Sequence, residues 1–245
     1  MAAQPGFTSV PSRHGPRATL QSGQWNVSGV APLIVGIGGT LRPNSTSERA
    51  LRIALDEAVR RGARTRLFAG PVLDLPTYDP ARATQTPKAV AFVETIRQAD
   101  GIIISSPSYH GTVSGMLKNA LDYVENLRTD SRIYLADRAV GCIVCAEGPQ
   151  ALGSTLATLR GVVHALRGWP TPFSATINTA QKPFHPDGSC ADPQVAYQLA
   201  FVAEQVVDFA RMRQLFSTDR TRQADADQSD PQQARLIELT LELMN

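Results

Sequence analysis

The sequence predicts an α/β protein built on a parallel, doubly wound sheet of five strands. Five short apolar runs recur along the chain, segments of helical spacing separate them, and glycines and hydroxyl residues gather where several of the runs end. That alternation is the signature of βαβ units.

The first run, LIVGIG (33–38), reads as a buried strand. Leu51, Leu55, Ala58 and Val59 then repeat at helical spacing until Gly62, which predicts a helix closed by a C-terminal glycine. TRLFA (65–69) is a second strand, and the VLDLPTYDP that follows holds too many turn formers to be regular. Residues 87–99 predict a helix leading into GIIISSP (101–107), a β-branched run suited to burial on both faces. A helix over about 114–127, the run AVGCIVCA (139–146), a helix over about 150–167, FSATIN (173–178) and a long helix over about 193–212 complete the pattern. In such sheets ligands sit beyond the carboxyl ends of the strands, where the strand order reverses.

The chain has 245 residues and a net charge of +2, so nothing global argues for a nucleic-acid partner, and no basic patch supplies a local argument. No run approaches the length of a membrane span. Three cysteines do not make a disulfide framework, which leads us to expect a reducing, cytoplasmic setting. Cys142 and Cys145 form a C-x-x-C inside a strand, where side chains three apart face opposite ways, so they are expected in the core. The four histidines, 14, 110, 164 and 185, are scattered, and no metal site is expected.

Residues 1–31 are rich in Ser, Pro and Gly, and the first 47 residues lack Asp and Glu. Proline and glycine there break any amphipathic helix, so the segment reads as a flexible arm, free or draped over a neighbouring subunit, before a main domain at 32–215. Residues 216–245 read as a polar linker and then a helix, DPQQARLIELTLELM, opened by Asp230 and Pro231. Its apolar residues cover more than one stripe, so it folds back or crosses to another subunit. We expect the second, and with it a homodimer or homotetramer.

The first loop, GGTLRPNSTS, lies where a strand gives way to a helix N-terminus, a standard place for an anion. The dinucleotide pattern fails because Leu41 stands at its third glycine, and the P-loop fails for want of a lysine. Thr40, Asn44, Ser45, Thr46, Ser47 and Arg42 remain, and they suit a terminal phosphate monoester; plain helix capping explains the hydroxyls equally well. The third strand ends in Ser106, Pro107, Ser108, Tyr109, His110 and Gly111, a partly apolar wall able to meet a ring system. His110 is either part of that wall or a hydrogen-bond donor to the ring it meets, or else a satisfied loop histidine. The fourth strand ends in AEGPQALG, again small residues.

GGTLRPNSTSERAL resembles the G-S-L-R-x-x-S-x-N loop of the NADPH-dependent FMN reductases, a flavodoxin-like branch of three-layer sandwich proteins. SPSYHGTVSGMLKNALDYV resembles that family's T-P-E-Y-N-G-S-x-P-G-x-L-K-N-A-I-D-W stretch, and DLPTYDP its LPLYD segment. The resemblance covers about residues 32–180. Thr40 stands in place of a serine, Ser47 of an asparagine, Ser108 and His110 of Glu and Asn, and Ser114 of a proline.

The resemblance implies that Thr40, Arg42, Ser45 and Ser47 bind the FMN phosphate. It also implies that Pro107, Ser108, Tyr109, His110 and Gly111 line the isoalloxazine, with Glu147, Gly148 and Pro149 closing its far side. Lys118, Asn119 and Asp122 match the motif as residues that orient their helix or a subunit contact. No catalytic side chain is expected, since hydride transfer belongs to FMN and NADPH or NADH. The implied activity is that of an NAD(P)H-dependent FMN reductase, supplying reduced flavin to a monooxygenase or reducing a quinone, azo or nitro acceptor. The alternatives are a non-catalytic flavodoxin-like electron carrier or flavin-binding protein, and a phosphate-ester binder that uses no flavin.

Overall fold

The computed structural model describes residues 30–82 and 86–228, with side chains as far as Ser217. Residues 1–29 of the expected arm and the apolar C-terminal segment 231–244 lie outside the described residues.

β1 (Leu33–Gly38) pairs in parallel with β2 (Arg64–Ala69) on one side and β3 (Gly101–Pro107) on the other. β4 (Ala139–Ala146) adds to β3, giving the order β2-β1-β3-β4 and then a fifth position. The chain therefore leaves β1 toward one edge and returns on its other side at β3, which makes the gap between β1 and β3 the point of reversal.

The fifth position is filled twice. The expected single strand 173–178 is confined to β6 (Ala175–Asn178), which pairs with Ile143–Ala146, while β5 (Trp169–Pro170) pairs with Ala139–Val140. Pro170 and Pro172 carry no N–H and interrupt the ladder, and only Thr171 between them donates, to the Val140 carbonyl at 3.0 Å.

Strand alternation splits the core in two. Val140, Cys142 and Val144 of β4 face Leu117 and Leu159, from α3 (Gly115–Asp122) and α4 (Pro149–Ala165), in the core that also takes Phe92 of α2 (Pro87–Gln98). Ile143 and Cys145 face the other way, into a core with Leu51 and Leu55 of α1 (Thr46–Arg60) and Val202 and Val206 of α5 (Pro193–Gln228). Each such buried aliphatic side chain contributes roughly 1.5–3 kcal/mol. The two cysteines thus sit on opposite faces, as expected, and burial pushes both thiols up to about 12.

α5 corrects one expectation. The segment read as a linker from residue 216 is helical as far as Gln228. FSTDRTRQADADQ contains no Gly or Pro and several good helix formers, so a polar composition does not stop the helix there.

Two side chains tie down irregular segments. Asn119 of α3 accepts from the Tyr78 N–H at 2.8 Å and donates to the Pro76 carbonyl at 2.9 Å, which pins DLPTYDP beside the sheet. Lys118 and Asp122 pair with each other at 2.6 Å on the surface. At the amino ends of the strands, Arg138 is fully buried and donates to the carbonyls of Ala99, Arg97, Tyr134 and Ala136 at 2.8–3.2 Å. Desolvation pushes its pKa down to about 10, so it remains charged at neutral pH.

Candidate functional site

Gly38 and Gly39 bring the first loop against the third strand. A Cβ on Gly38 would lie 1.9 Å from the Ser105 carbonyl oxygen, and that same oxygen accepts the Gly39 N–H at 3.0 Å. Only glycine tolerates this approach at φ 153° and 88°. The chain then crosses over Arg42 to Ser45, the N-cap of α1.

Ser45 Oγ accepts from the Glu48 N–H at 3.3 Å, which is half of a capping box. The other half is missing. Glu48 turns its carboxylate to Arg52, at 2.7 and 3.0 Å, so it does not take the Ser45 N–H. Among the described residues no protein acceptor takes that N–H, and the first-turn donors of Thr46 and Ser47 have no intrahelical partner by construction. Ser45 Oγ lies 3.3 Å from Ser47 Oγ, and Thr40 Oγ1 accepts from the Arg42 N–H at 3.1 Å. Capping is therefore real, yet it leaves a turn of open N–H groups, hydroxyls and one guanidinium.

This turn forms one end of a cleft of about 660 Å³ at the carboxyl edge of the sheet. Thr40, Arg42, Ser45 and Ser47 line that end, and Pro107, Ser108 and Tyr109 line the wall after β3. Glu147 and Gly148 close the side after β4. Nine of the twelve residues expected to hold the flavin thus share one cavity, whose size is ordinary for a small-molecule site; Pro149, the first residue of α4, is not on its lining.

His110 and Gly111 are not on the cleft wall. Tyr109 and Thr112 exchange backbone hydrogen bonds at 2.9 and 3.2 Å, and the two residues between them have φ of 52° and 79°. That is a two-residue type I′ turn, in which His110 and Gly111 occupy the tip. The turn carries Tyr109 at its start, and the Tyr109 ring is half exposed.

Thr46, one of the hydroxyls expected in the first loop, also lines the cleft, and the structure adds Cys145, Ala146, Ala151 and Thr179. Thr179 follows β6 directly, so the rule that ligands gather at strand carboxyl ends pointed to it. Ala146 and Ala151 belong to the AEGPQALG segment that the sequence places at this edge, whereas Cys145, inside an unbroken apolar run, gave no sign that it reaches a cavity.

The donor set fits a phosphorylated ring compound. Open N–H groups, hydroxyls and Arg42 suit a phosphate at one end. Pro107, Tyr109, Ala146 and Ala151 leave the other end flat and apolar. A Cβ on Gly148 would meet nothing within 4 Å, so its glycine leaves open space on this side of the cleft. Among the described residues no group of three or more His, Cys, Asp or Glu could hold a metal ion, and no helix is long and apolar enough to cross a membrane.

A parallel α/β sheet with a turn of open N–H donors at its reversal point is the architecture of nucleotide-binding proteins. Residues 32–182 match the model of the NADPH-dependent FMN reductases, and the chain belongs to that family. The FMN-dependent NADPH-azoreductase of Staphylococcus haemolyticus is 28% identical over 120 residues, which cover 48% of this chain and 60% of that protein. The NADH:(hydroxy)cinnamate reductase subunit CrdA of Vibrio ruber is 28% identical over 165 residues, 65% of this chain and 79% of the subunit. The chain thus spans about three fifths of the azoreductase and about four fifths of the reductase subunit. Among solved structures, FerB, an NAD(P)H:(acceptor) oxidoreductase from Paracoccus denitrificans, superposes with a TM-score of 0.59 at 22% identity, over 75% of this chain and 99% of its own. RosB superposes with a TM-score of 0.60 at 18% identity, over 82% of this chain and 89% of its own. These structural likenesses establish the flavodoxin-like fold.

Proposed function

We propose that the protein is an NAD(P)H-dependent FMN reductase that passes electrons to a small-molecule acceptor of the quinone, azo or nitro type, or supplies reduced flavin to a monooxygenase. The observation that carries the reading is the half-made capping box, which leaves backbone donors facing the same cleft as Arg42. Arg42, Thr40, Ser45 and Ser47 hold the phosphate. Pro107, Ser108 and Tyr109 flank the ring, His110 and Gly111 hold Tyr109 in its turn, and Glu147 and Gly148 close the opposite side. Bound FMN supplies the hydride chemistry, and the protein supplies placement and electrostatics. Holding nicotinamide against a fixed ring turns an encounter into a positioned contact, a large source of rate. No acid or base is required of the side chains, and the one thiol on the wall, Cys145, stays neutral because burial pushes it up to about 12.

Assembly as a homodimer or homotetramer belongs to the same proposal. Its support is the exposed Met212, Leu215 and Phe216 on α5, together with the apolar sequence at 236–244.

The test is a visible spectrum of the purified protein, a titration with FMN, and NADPH oxidation with and without added flavin. Flavin binding and flavin-dependent oxidation are expected. Flavin binding without oxidation would favour a non-catalytic electron-transfer or flavin-binding protein, and oxidation that ignores flavin would remove the reading.

A further inference from the structure

Thr155 lies inside α4 with no exposed surface, and its hydroxyl does not bond back to its own helix. Other helical threonines here do so, Thr95 to the Ala91 carbonyl at 2.7 Å and Thr158 to the Ser154 carbonyl at 3.0 Å. The Thr155 hydroxyl instead crosses to the loop after β3 and donates to Ser108 Oγ at 2.7 Å. Ser108 lines the cleft, and its backbone N–H donates to the Cys145 carbonyl at 2.9 Å. The residue is thus held at two points.

A serine hydroxyl has one proton to give. Thr155 occupies one of the oxygen's lone pairs, and among the described residues no protein acceptor takes the Ser108 proton. That proton is left for the cleft. We propose that Thr155 is a positioning residue that fixes Ser108 as a hydrogen-bond donor to an acceptor atom on the ring of bound FMN, an inference that rests on the FMN reading above. A donor at that place stabilises the reduced ring, which carries the added electron density, more than the oxidised ring. The pair thereby raises the potential at which the site works.

The experiment uses the full chain loaded with FMN, with midpoint potentials measured against a reference dye and FMN affinity by fluorescence titration. Thr155→Val is expected to lower the potential by about 30 mV, equivalent to a tenfold loss of preference for reduced over oxidised FMN. Ser108→Ala should give a shift of similar size, the double variant should shift no further, and Thr155→Ser should restore the original value. An unchanged potential in Thr155→Val with FMN bound overturns the proposal, as does a double variant whose shift is the sum of the single ones. Should Thr155→Val fail to fold, Ser108→Ala decides, since an unchanged potential there also overturns it. Failure of the unaltered chain to bind FMN is a different result and removes the functional reading together with this one.

Discussion

The hydroxyl of Ser105, fully buried in β3, donates to the Ser47 carbonyl at 2.8 Å. This contact joins the first turn of α1 to the strand that ends in Pro107, so the phosphate end and the ring end of the cleft share one frame. Replacing Ser105 by Ala is expected to cost about 1 kcal/mol in urea unfolding and to weaken FMN several-fold. Lowered stability with unaltered FMN affinity would show that the tie serves the fold alone.

Ser45 caps α1 and also lines the cleft. Asn and Asp cap as well as Ser does, whereas Ala costs about 1 kcal/mol. Ser45→Asn should therefore keep both stability and FMN binding, while Ser45→Asp should keep stability and lose FMN through repulsion of the phosphate. The checks are urea midpoints and FMN titrations on the two variants. Equal binding by both would leave Ser45 as a cap and nothing more.

Arg42 is exposed at the cleft mouth, so water weakens its charge but does not remove it. Arg42→Ala should reduce affinity for FMN on the order of tenfold, and affinity for riboflavin hardly at all. Parallel fluorescence titrations of the two flavins test this. A matching loss for both would assign the arginine to loop structure.

Cys142 and Cys145 should resist alkylation in the native protein, whereas the half-buried Cys190 should react first. Burial holds their thiols well above the usual thiol value, at about 12. An acid whose folded pKa is raised contributes stability that is complete below the unfolded value and falls away between the two. Unfolding measured in urea should therefore show stability declining as pH rises above about 9. Mass spectrometry after brief alkylation at mildly basic pH checks the first point, and early labelling of Cys142 or Cys145 would contradict it.

Most of the fold was legible because its signals are local. The runs LIVGIG, GIIISSP and AVGCIVCA declare themselves by composition, and the hydroxyls before Glu48 announce a helix start. The cleft was legible where glycines and hydroxyls follow a strand, and not at Cys145, which lies inside an apolar run. Features that depend on distant partners were not. Nothing in the sequence places Thr155 beside Ser108, 47 residues away. Arg138 has no carboxylate partner to betray its burial, since its acceptors are carbonyls that every residue carries. His110 was read by its chemistry, whereas its left-handed φ is what fixes its place. The extension of α5 was hidden because a polar stretch suggests a loop more readily than a continued helix.

Arg138 anchors the amino ends of the strands, remote from every residue of the cleft. One anchor of the scaffold thus sits where no ligand comes, and exposed rim residues that cap no helix and tie no strand, Arg42 among them, can change without touching it. A shift from one electron acceptor to another then calls for changes at the rim alone, whereas a single loss at Arg138 would be felt by the whole molecule.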